Sequence, residues 1–229
     1  MKDKYYKLNN PAWYSLTEIH QPFAIGTDEI KKYQRSIAPW VGYISSNKNI
    51  LKEIDPFIEQ EEGVYFFDEL PALPTNYILE TELLCQQMIC TTEIKTVTDN
   101  TVIEKMEDDA ASEIETLINL VQPGYYNPGI RLMGEYYGIR ENGKLVALAG
   151  ERMRMNGFTE VSGVVTRPGY TGRGYARQLV ACVTNKNLEA GIIPFLHVAQ
   201  TNEKAIKLYG HLGFVNRRFI MVKKIKKTA

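Results

Sequence analysis

The stretch from Val161 to Leu179 constrains the fold more than any other part of the chain. It reads VSGVVTRPGYTGRGYARQL: a β-branched run, a Pro-Gly break, a glycine-rich loop and an amphipathic pattern. This order predicts a strand, a turn and a helix. Gly172 and Gly174 fall where the helix begins, and a helix N-terminus offers unpaired N–H groups and a positive dipole end. Because glycine lets an anion approach the backbone closely, the stretch predicts a phosphate site fed by a strand.

The segments before this stretch predict an antiparallel meander. Strands are expected at Tyr136 to Glu141, Lys144 to Met155 and Phe158 to Thr166. Asn142-Gly143 and Asn156-Gly157 separate them, and Asn-Gly is typical of tight hairpin turns. Three antiparallel strands joined by two such turns are therefore predicted.

The segments after it predict two more strands and a helix. The helix that follows the loop should end at Gly191, and Ile193 to Val198 is expected to form a short buried strand. A crossover joins this strand to the one before the loop, so the two should be parallel. Asn202 lies where the next helix begins, and Phe214 to Ile225 should close the sheet.

The first part of the chain is less regular, and no motif in residues 1 to 90 indicates a chemistry. The loop from Gly124 to Gly134 fits either substrate contacts or a plain connector. The remaining expectations are a capped helix at Asn10-Pro11, a helix-like stretch from Thr27 to near Pro39, helical spacing from Asn47 to Ile58, a strand at Val64 to Phe67, one or two strands between Asn76 and Ile89, an edge strand from Ile94 to Val102 and a helix through Ile114 to Val121.

Composition excludes several classes of protein. The formal net charge of the 229 residues is zero, so no general attraction to nucleic acid or anionic membrane is expected. Cys85, Cys90 and Cys182 form no C-x-x-C pair, which argues against a disulfide framework or a zinc site. There is no apolar leader at the start and no apolar run of about 20 residues. We therefore expect a cytoplasmic protein without a bound metal, a nucleic-acid partner or a membrane partner.

The region from Glu160 to Met221 resembles the acetyl-CoA-binding core of the GNAT acetyltransferases. The runs GERMRMNGFTEVSGVVT and FLHVAQTNEKAIKLYGHLGF resemble the glycine N-acyltransferase-like arm of that superfamily. The resemblance rests on the spacing of the glycine-rich loop, Asn202, Tyr209 and Gly213-Phe214. These motifs lie between Glu135 and Met221.

The resemblance implies an α/β (α+β) fold. Its sheet would be mixed and mainly antiparallel, with splayed parallel central strands. Residues 93–229 would form the GNAT domain, and residues 1–92 a small N-terminal α/β lobe. We expect this lobe to pack over the acceptor side and to shape substrate choice.

The resemblance also implies where acetyl-CoA binds. The family pattern is Arg or Gln, two residues, Gly, one residue, then Gly or Ala; Gly174 and Ala176 match it, whereas Thr171 replaces the Arg or Gln. Backbone N–H groups are expected to hold the pyrophosphate. In the family the pantetheine arm pairs with the strand before the loop, and an amide-bearing chain suits a strand edge. The implied contacts are therefore Val164, Val165, Thr166, Thr171, Gly172, Arg173, Gly174, Tyr175, Ala176 and Asn202.

Two residues are expected to act in catalysis. Acyl transfer needs an amine without its proton and a protonated leaving thiol, so a base and an acid both help. Glu160 matches the position of the general base in histone-type members, and strand alternation would place it on the same face as Val164. Tyr209 is the candidate acid. The alternative for Glu160 is an ordinary strand carboxylate, and the alternative for Tyr209 is a core tyrosine. Glu135 is a rival base, and His197 is expected to be a hydrogen-bonded core histidine.

The expected function is transfer of an acetyl group from acetyl-CoA to a primary amine by direct attack. The acceptor would be a small molecule or a peptide, and no motif identifies it. Two alternatives remain open: a sensor of this fold that binds acyl-CoA without turnover, and an acyltransferase that uses a longer acyl chain.

Overall fold

The computed structural model describes residues 3–44, 47, 49–95 and 101–228. Short 3₁₀ segments connect several of its elements. The strands are β1 (Ala24–Gly26), β2 (Ile30–Tyr33), β3 (Val41–Tyr43), β4 (Gly63–Phe67), β5 (Tyr77–Ile89), β6 (Ile103–Lys105), β7 (Tyr136–Glu141), β8 (Lys144–Met155), β9 (Phe158–Thr166), β10 (Ile193–Ala199) and β11 (Val215–Lys227), and the α-helices are α1 (Pro11–Thr17), α2 (Leu51–Ile54), α3 (Ala111–Val121), α4 (Tyr175–Glu189) and α5 (Glu203–His211).

An eight-stranded sheet organises the fold, in the order β4-β11-β5-β10-β9-β8-β7-β6. Its neighbouring strands pair antiparallel except β9 and β10, which are parallel. The predicted mixed, mainly antiparallel sheet is therefore confirmed. The parallel pair follows from the crossover through α4, as the sequence indicates.

Helices α4 and α5 cover one face of this sheet, here called the back face, with residues such as Leu179 and Tyr209 packed around Leu196. The opposite, front face is covered in two parts. N-terminal residues such as Leu16 and Trp40 pack over Phe195. Helix α3 packs over the β7–β9 part of the sheet. The front and back faces therefore have different covers.

The predicted boundary between residues 92 and 93 does not follow the sheets. Strands β4 and β5 precede it, yet β5 lies between β11 and β10 in the large sheet. Strands β1, β2 and β3 form a separate, three-stranded sheet. The reason is the apolar half of β5: Met88 packs in the back core and Ile89 in the front core.

Most of the predicted elements are confirmed. The three strands of the meander have the predicted bounds, and Asn10 caps α1 through an N–H···O bond from Trp13. The helix expected from Thr27 is wrong, because Ile30–Tyr33 forms β2, in which Ile30, Lys32 and Tyr33 are buried. The edge strand expected at Ile94 to Val102 is found instead at Ile103–Lys105; residues 96–100 of that prediction lie outside the described residues.

Candidate active site

Strands β9 and β10 separate at the centre of the sheet. Their parallel register contains three pairs and ends at Phe195 and Glu160. Beyond that point β9 continues to Thr166, pairing only with β8, while β10 continues to Ala199, pairing only with β5. The backbone edge of β9 from Val164 to Thr166 that faces β10 therefore has no strand partner. The predicted splay is confirmed.

A bulge in β9 lies just beyond the last parallel pair, inside this gap. The register with β8 passes from Gly150 opposite Ser162 to Leu148 opposite Val165, so β9 contains one extra residue. Gly163 lies in it with a φ of 63°, a left-handed conformation that glycine adopts easily. Pro194, by contrast, lies within the paired part of β10.

The bulge overturns one expectation about faces. Glu160 contacts residues of the front face, whereas Val164 packs in the back core and Val165 in the front core. Glu160 and Val164 thus lie on opposite faces. Simple alternation predicts the same face, and it fails because the extra residue reverses the order of the side chains.

The loop that follows β9 brings the N-terminus of α4 to the end of the gap. Gly172 and Gly174 have φ values of 83° and 82°, and Gly174 is the residue before the helix. Thr171 to Gly174 are exposed, and a Cβ on Gly172 would meet no atom within 4 Å. The first amides of a helix have no partner within it. This end of α4 is therefore open to an anion.

Two side chains at the start of α4 contact the same carboxylate, that of Glu141. Arg173 donates to Glu141 at 3.4 Å and lies over the ring of Tyr170. The Tyr175 hydroxyl also donates to Glu141, and its ring is buried in the back core. Tyr175 can thus offer only its backbone N–H to a ligand at the loop.

Glu160 is a buried, ion-paired carboxylate. It is 1% exposed and receives hydrogen bonds from Arg152 at 2.8 and 2.6 Å and from His197 Nδ1 at 2.8 Å. Burial opposes its ionisation, but the charge of Arg152 and the hydrogen bonds from His197 and Arg152 outweigh burial and lower the pKa of Glu160 to about 2. A carboxylate with such a low pKa is a weak general base. These contacts favour a role in positioning Arg152 and His197.

His197 is hydrogen-bonded on both ring nitrogens, as expected of a core histidine. Gln87 accepts from Arg217 at 2.7 Å with its oxygen and donates to the Leu8 carbonyl at 2.7 Å with its nitrogen. The nitrogen therefore faces His197 Nε2, 3.0 Å away. Nε2 must accept, so the proton of a neutral His197 lies on Nδ1 and points at Glu160.

Tyr209 lies on α5 and Asn202 directly precedes that helix, on the far side of β10. Tyr209 is 8% exposed, and burial raises the pKa of its hydroxyl to about 12. It therefore stays protonated near neutral pH, as an acid must. Asn202 caps α5, accepting from the Ala205 N–H at 3.1 Å.

The rival base Glu135 belongs to the back face. Hydrogen bonds from Lys186, Lys105 and Tyr137 outweigh its partial burial and lower the pKa of Glu135 to about 2. Lys186 is on α4, so Glu135 and Glu160 lie on opposite sides of the sheet. The loop from Gly124 to Gly134 contacts the N-terminal region, where Asn127 donates to the Arg35 carbonyl.

Sequence reasoning missed Tyr136. Its ring lies against the backbone of Gly150 and Gly163, where an added Cβ would lie 2.4 and 2.9 Å from ring carbons. The side chain is 2% exposed, and its hydroxyl has no hydrogen-bond partner among the described residues. The sequence marks Tyr136 only as the start of a strand. The small residues opposite it become meaningful only once the register is known.

An open recess of about 310 Å³ lies in the front cover, lined by Asn9, Asn10, residues 41–44 and residues 66–69. Phe67 connects it to the site, since its ring stacks on Trp40 at 4.5 Å and lies 4.8 Å from the ring of His197. Asp68 and Glu69 line the recess, and the charge of Asp68 is balanced by an ion pair with Arg218.

Comparisons with known proteins agree with this architecture. Residues 136–221 match the family model described as FR47-like protein. The chain is 27% identical to a putative GNAT-family acetyltransferase from Novosphingobium aromaticivorans, with 97% of this chain and 99% of that one covered at a TM-score of 0.88. No curated protein matches the sequence.

Two more distant structures share the fold. A GCN5-related N-acetyltransferase from Kribbella flavida is 14% identical, with 100% of this chain and 97% of that one covered at a TM-score of 0.67. A GCN5-related N-acetyltransferase-like protein from Streptococcus suis is 15% identical, with 94% of this chain and 93% of that one covered at a TM-score of 0.61. The narrower resemblance to the glycine N-acyltransferase-like arm stays a prediction.

The residues that the structure describes contain neither a helix suited to a membrane nor a cluster suited to a metal. No helix there is both long enough and apolar enough to cross a bilayer. No group of three or more His, Cys, Asp or Glu side chains in the same residues is placed to share a metal ion. The chain has the fold of the GNAT acetyltransferases, and its similarity to them supports an acyltransferase.

Proposed function

We propose that the protein transfers an acetyl group from acetyl-CoA to a primary amine, by direct attack in a ternary complex. One observation carries this proposal: the unpaired edge of β9 leads directly to the open N-terminus of α4. An amide-bearing arm suits the first feature and a pyrophosphate suits the second. Acetyl-CoA contains both groups in this order.

In this arrangement the backbone does most of the binding. Val164, Val165 and Thr166 pair with the amides of the pantetheine arm. The N–H groups from Thr171 to Ala176 hold the pyrophosphate, and Asn202 contacts the arm from α5. Because Thr171 stands where the family has Arg or Gln, the anion depends more on backbone donors and on Arg173. A β9 N–H near Val164 or Val165 stabilises the oxyanion that forms on the acyl carbon.

The two proposed catalytic residues contribute differently. Tyr209 protonates the departing thiolate, since it is an acid buried on α5. Glu160 holds His197 and Arg152 at the closed end of the gap. This replaces the general-base role expected from its position, because the pKa of Glu160 is too low for efficient proton removal.

The role of Glu160 can be separated from its contribution to folding. Glu160→Gln leaves the charge of Arg152 buried without its partner and should destabilise the protein by about 3 kcal/mol. Glu160→Gln combined with Arg152→Gln should recover most of that loss. If the double variant also recovers turnover, Glu160 has no role in catalysis beyond pairing with Arg152.

The acceptor reaches the site from the front face, where the N-terminal region covers β10. We propose that its amine passes Phe67 and that the rest of the molecule occupies the recess. The Glu69 carboxylate at the recess suits the amine of a small molecule or of a peptide. This arrangement gives the N-terminal region its proposed role in substrate choice.

The test is release of the CoA thiol from acetyl-CoA across a panel of amines, with longer acyl-CoAs in parallel. Amine-dependent release confirms transfer, and the preferred donor settles the acyl length. Tight acetyl-CoA binding with no thiol release for any amine would favour a sensor. Cys182→Ala should retain full activity, because burial raises the pKa of this thiol and disfavours the thiolate. A trapped acyl-cysteine at position 182 would contradict direct attack.

A further inference from the structure

The hydroxyl of Tyr136 is a buried polar group that forms no hydrogen bond with the described residues. The residue is 2% exposed. Leaving a buried hydroxyl unpaired costs about 1–3 kcal/mol. A phenylalanine would fill the same apolar space without that cost. The hydroxyl is therefore expected to have a partner that is absent from the folded chain alone.

The position of the hydroxyl indicates the partner. Tyr136 starts β7 opposite Gly150, and Gly150 lies opposite Ser162 of β9. The side chain extends along this row over two glycines, and the hydroxyl ends 3.6 Å from where a Cβ of Gly163 would lie. Gly163 is the bulged residue of β9 just beyond Glu160, within the part of β9 that has separated from β10. The hydroxyl thus lies at the inner end of the proposed acetyl-CoA site.

The surroundings hold the hydroxyl there. Met106, Leu148 and Val165 pack with the Tyr136 ring in one buried cluster. Burial raises the pKa of Tyr136, so its hydroxyl keeps its proton and can only donate or accept a hydrogen bond. Arg152 and Glu160 are close enough to affect it electrostatically. A fixed, neutral donor in a water-poor site is what an oxyanion requires.

We propose that the Tyr136 hydroxyl donates a hydrogen bond to the acyl oxygen of the donor thioester, as a second donor beside a β9 backbone N–H. This rests on the proposed function. The amine nitrogen attacks the acyl carbon, and the C=O electron pair moves onto oxygen, where Tyr136 stabilises it. Collapse re-forms C=O and breaks the C–S bond; thiolate leaves and takes a proton, and the amine nitrogen loses one. Tyr136 gains and loses no proton.

The test is Tyr136→Phe, which removes the hydroxyl and nothing else. Three results are expected. The melting temperature should be unchanged or higher, and kcat should be about 10²-fold lower. In equilibrium binding without an amine acceptor, the variant should also lose the preference of the wild type for acetyl-CoA over CoA. In the wild type that preference should be about fivefold, the value of one neutral hydrogen bond. An unfolded variant, or one with wild-type kcat and wild-type preference, would overturn the proposal.

Tyr33→Phe is the matched control. Tyr33 is also a fully buried tyrosine under the front cover, but its hydroxyl donates to Ser15 at 2.7 Å and lies 2.9 Å from His20. Loss of the Tyr33 hydroxyl should lower the melting temperature. It should leave kcat and the preference for acetyl-CoA over CoA within about twofold of the wild-type values, a change smaller than one hydrogen bond would cause. If wild type prefers acetyl-CoA but no amine releases thiol, the proposed transfer fails while the binding test of Tyr136 still stands.

Discussion

Glu160 and Phe195 form the last parallel pair between β9 and β10, and the sheet opens directly beyond them. The pair separates a closed, ion-paired region, which contains Arg152 and His197, from an open backbone edge. In the proposed enzyme, acetyl-CoA occupies the open side and the acceptor arrives over the closed side. The chemistry then takes place where the two regions meet.

Gly172→Asp tests the anion site at α4. The new carboxylate would repel a pyrophosphate, so affinity for acetyl-CoA should fall at least about tenfold, or about 1.4 kcal/mol. Gly191→Asp is the control, since Gly191 also has a positive φ of 72° and no atom within 4 Å of its Cβ position, but follows the other end of the helix. Calorimetric titration should separate the two variants. Equal affinities would place the pyrophosphate elsewhere.

Gly163→Ala tests the bulge. The methyl group would lie 2.9 Å from a ring carbon of Tyr136, and the φ of 63° strains any side chain. Gly157→Ala, at a hairpin turn with a φ of 88° and open space around it, experiences only the backbone strain. Gly163→Ala should therefore lower the free energy of unfolding in urea by about 1–3 kcal/mol more than Gly157→Ala. Similar losses would mean that Tyr136 is not held against β9.

Tyr209→Phe tests the general acid. Acetyl-CoA binding should be kept, because the ring still fills the back core, while turnover should fall about 10²-fold or more. Stopped assays of thiol release, compared with equilibrium binding of acetyl-CoA, distinguish the two effects. Unchanged turnover would remove Tyr209 from the mechanism.

His20 should make stability depend on pH. It is 2% exposed, and burial lowers its pKa from 6.5 to about 4. The unfolded chain then binds a proton more tightly than the folded one, so stability is lost as pH falls from about 6.5 to about 4. The loss is at most about 3 kcal/mol. His20→Gln, which can still donate to the Met133 carbonyl, should flatten unfolding free energy over this window; an equal slope in both proteins would contradict this origin.

Much of the site could be predicted from local sequence. The Asn-Gly turns define β7, β8 and β9, and the two glycines before α4 identify the helix end that faces the gap. The register could not be predicted, because one extra residue at Gly163 reverses the side chains after it. For the same reason the sequence placed Glu160 on the wrong face relative to Val164 and did not indicate Tyr136.

Long-range contacts explain the other differences. Glu160 reads as an exposed strand carboxylate until the fold brings Arg152 and His197 to it from neighbouring strands. β5 reads as part of an N-terminal lobe, since nothing local shows that its apolar half pairs with β10 and β11. Both features depend on residues far apart in sequence.

A crystal structure of the protein with bound CoA tests the central claim most directly. The account predicts that the pantetheine amides pair with the backbone of Val164 to Thr166 and that the pyrophosphate lies within hydrogen-bond distance of the amides from Thr171 to Ala176. CoA bound outside the gap between β9 and β10, with the β9 edge left free, would contradict it.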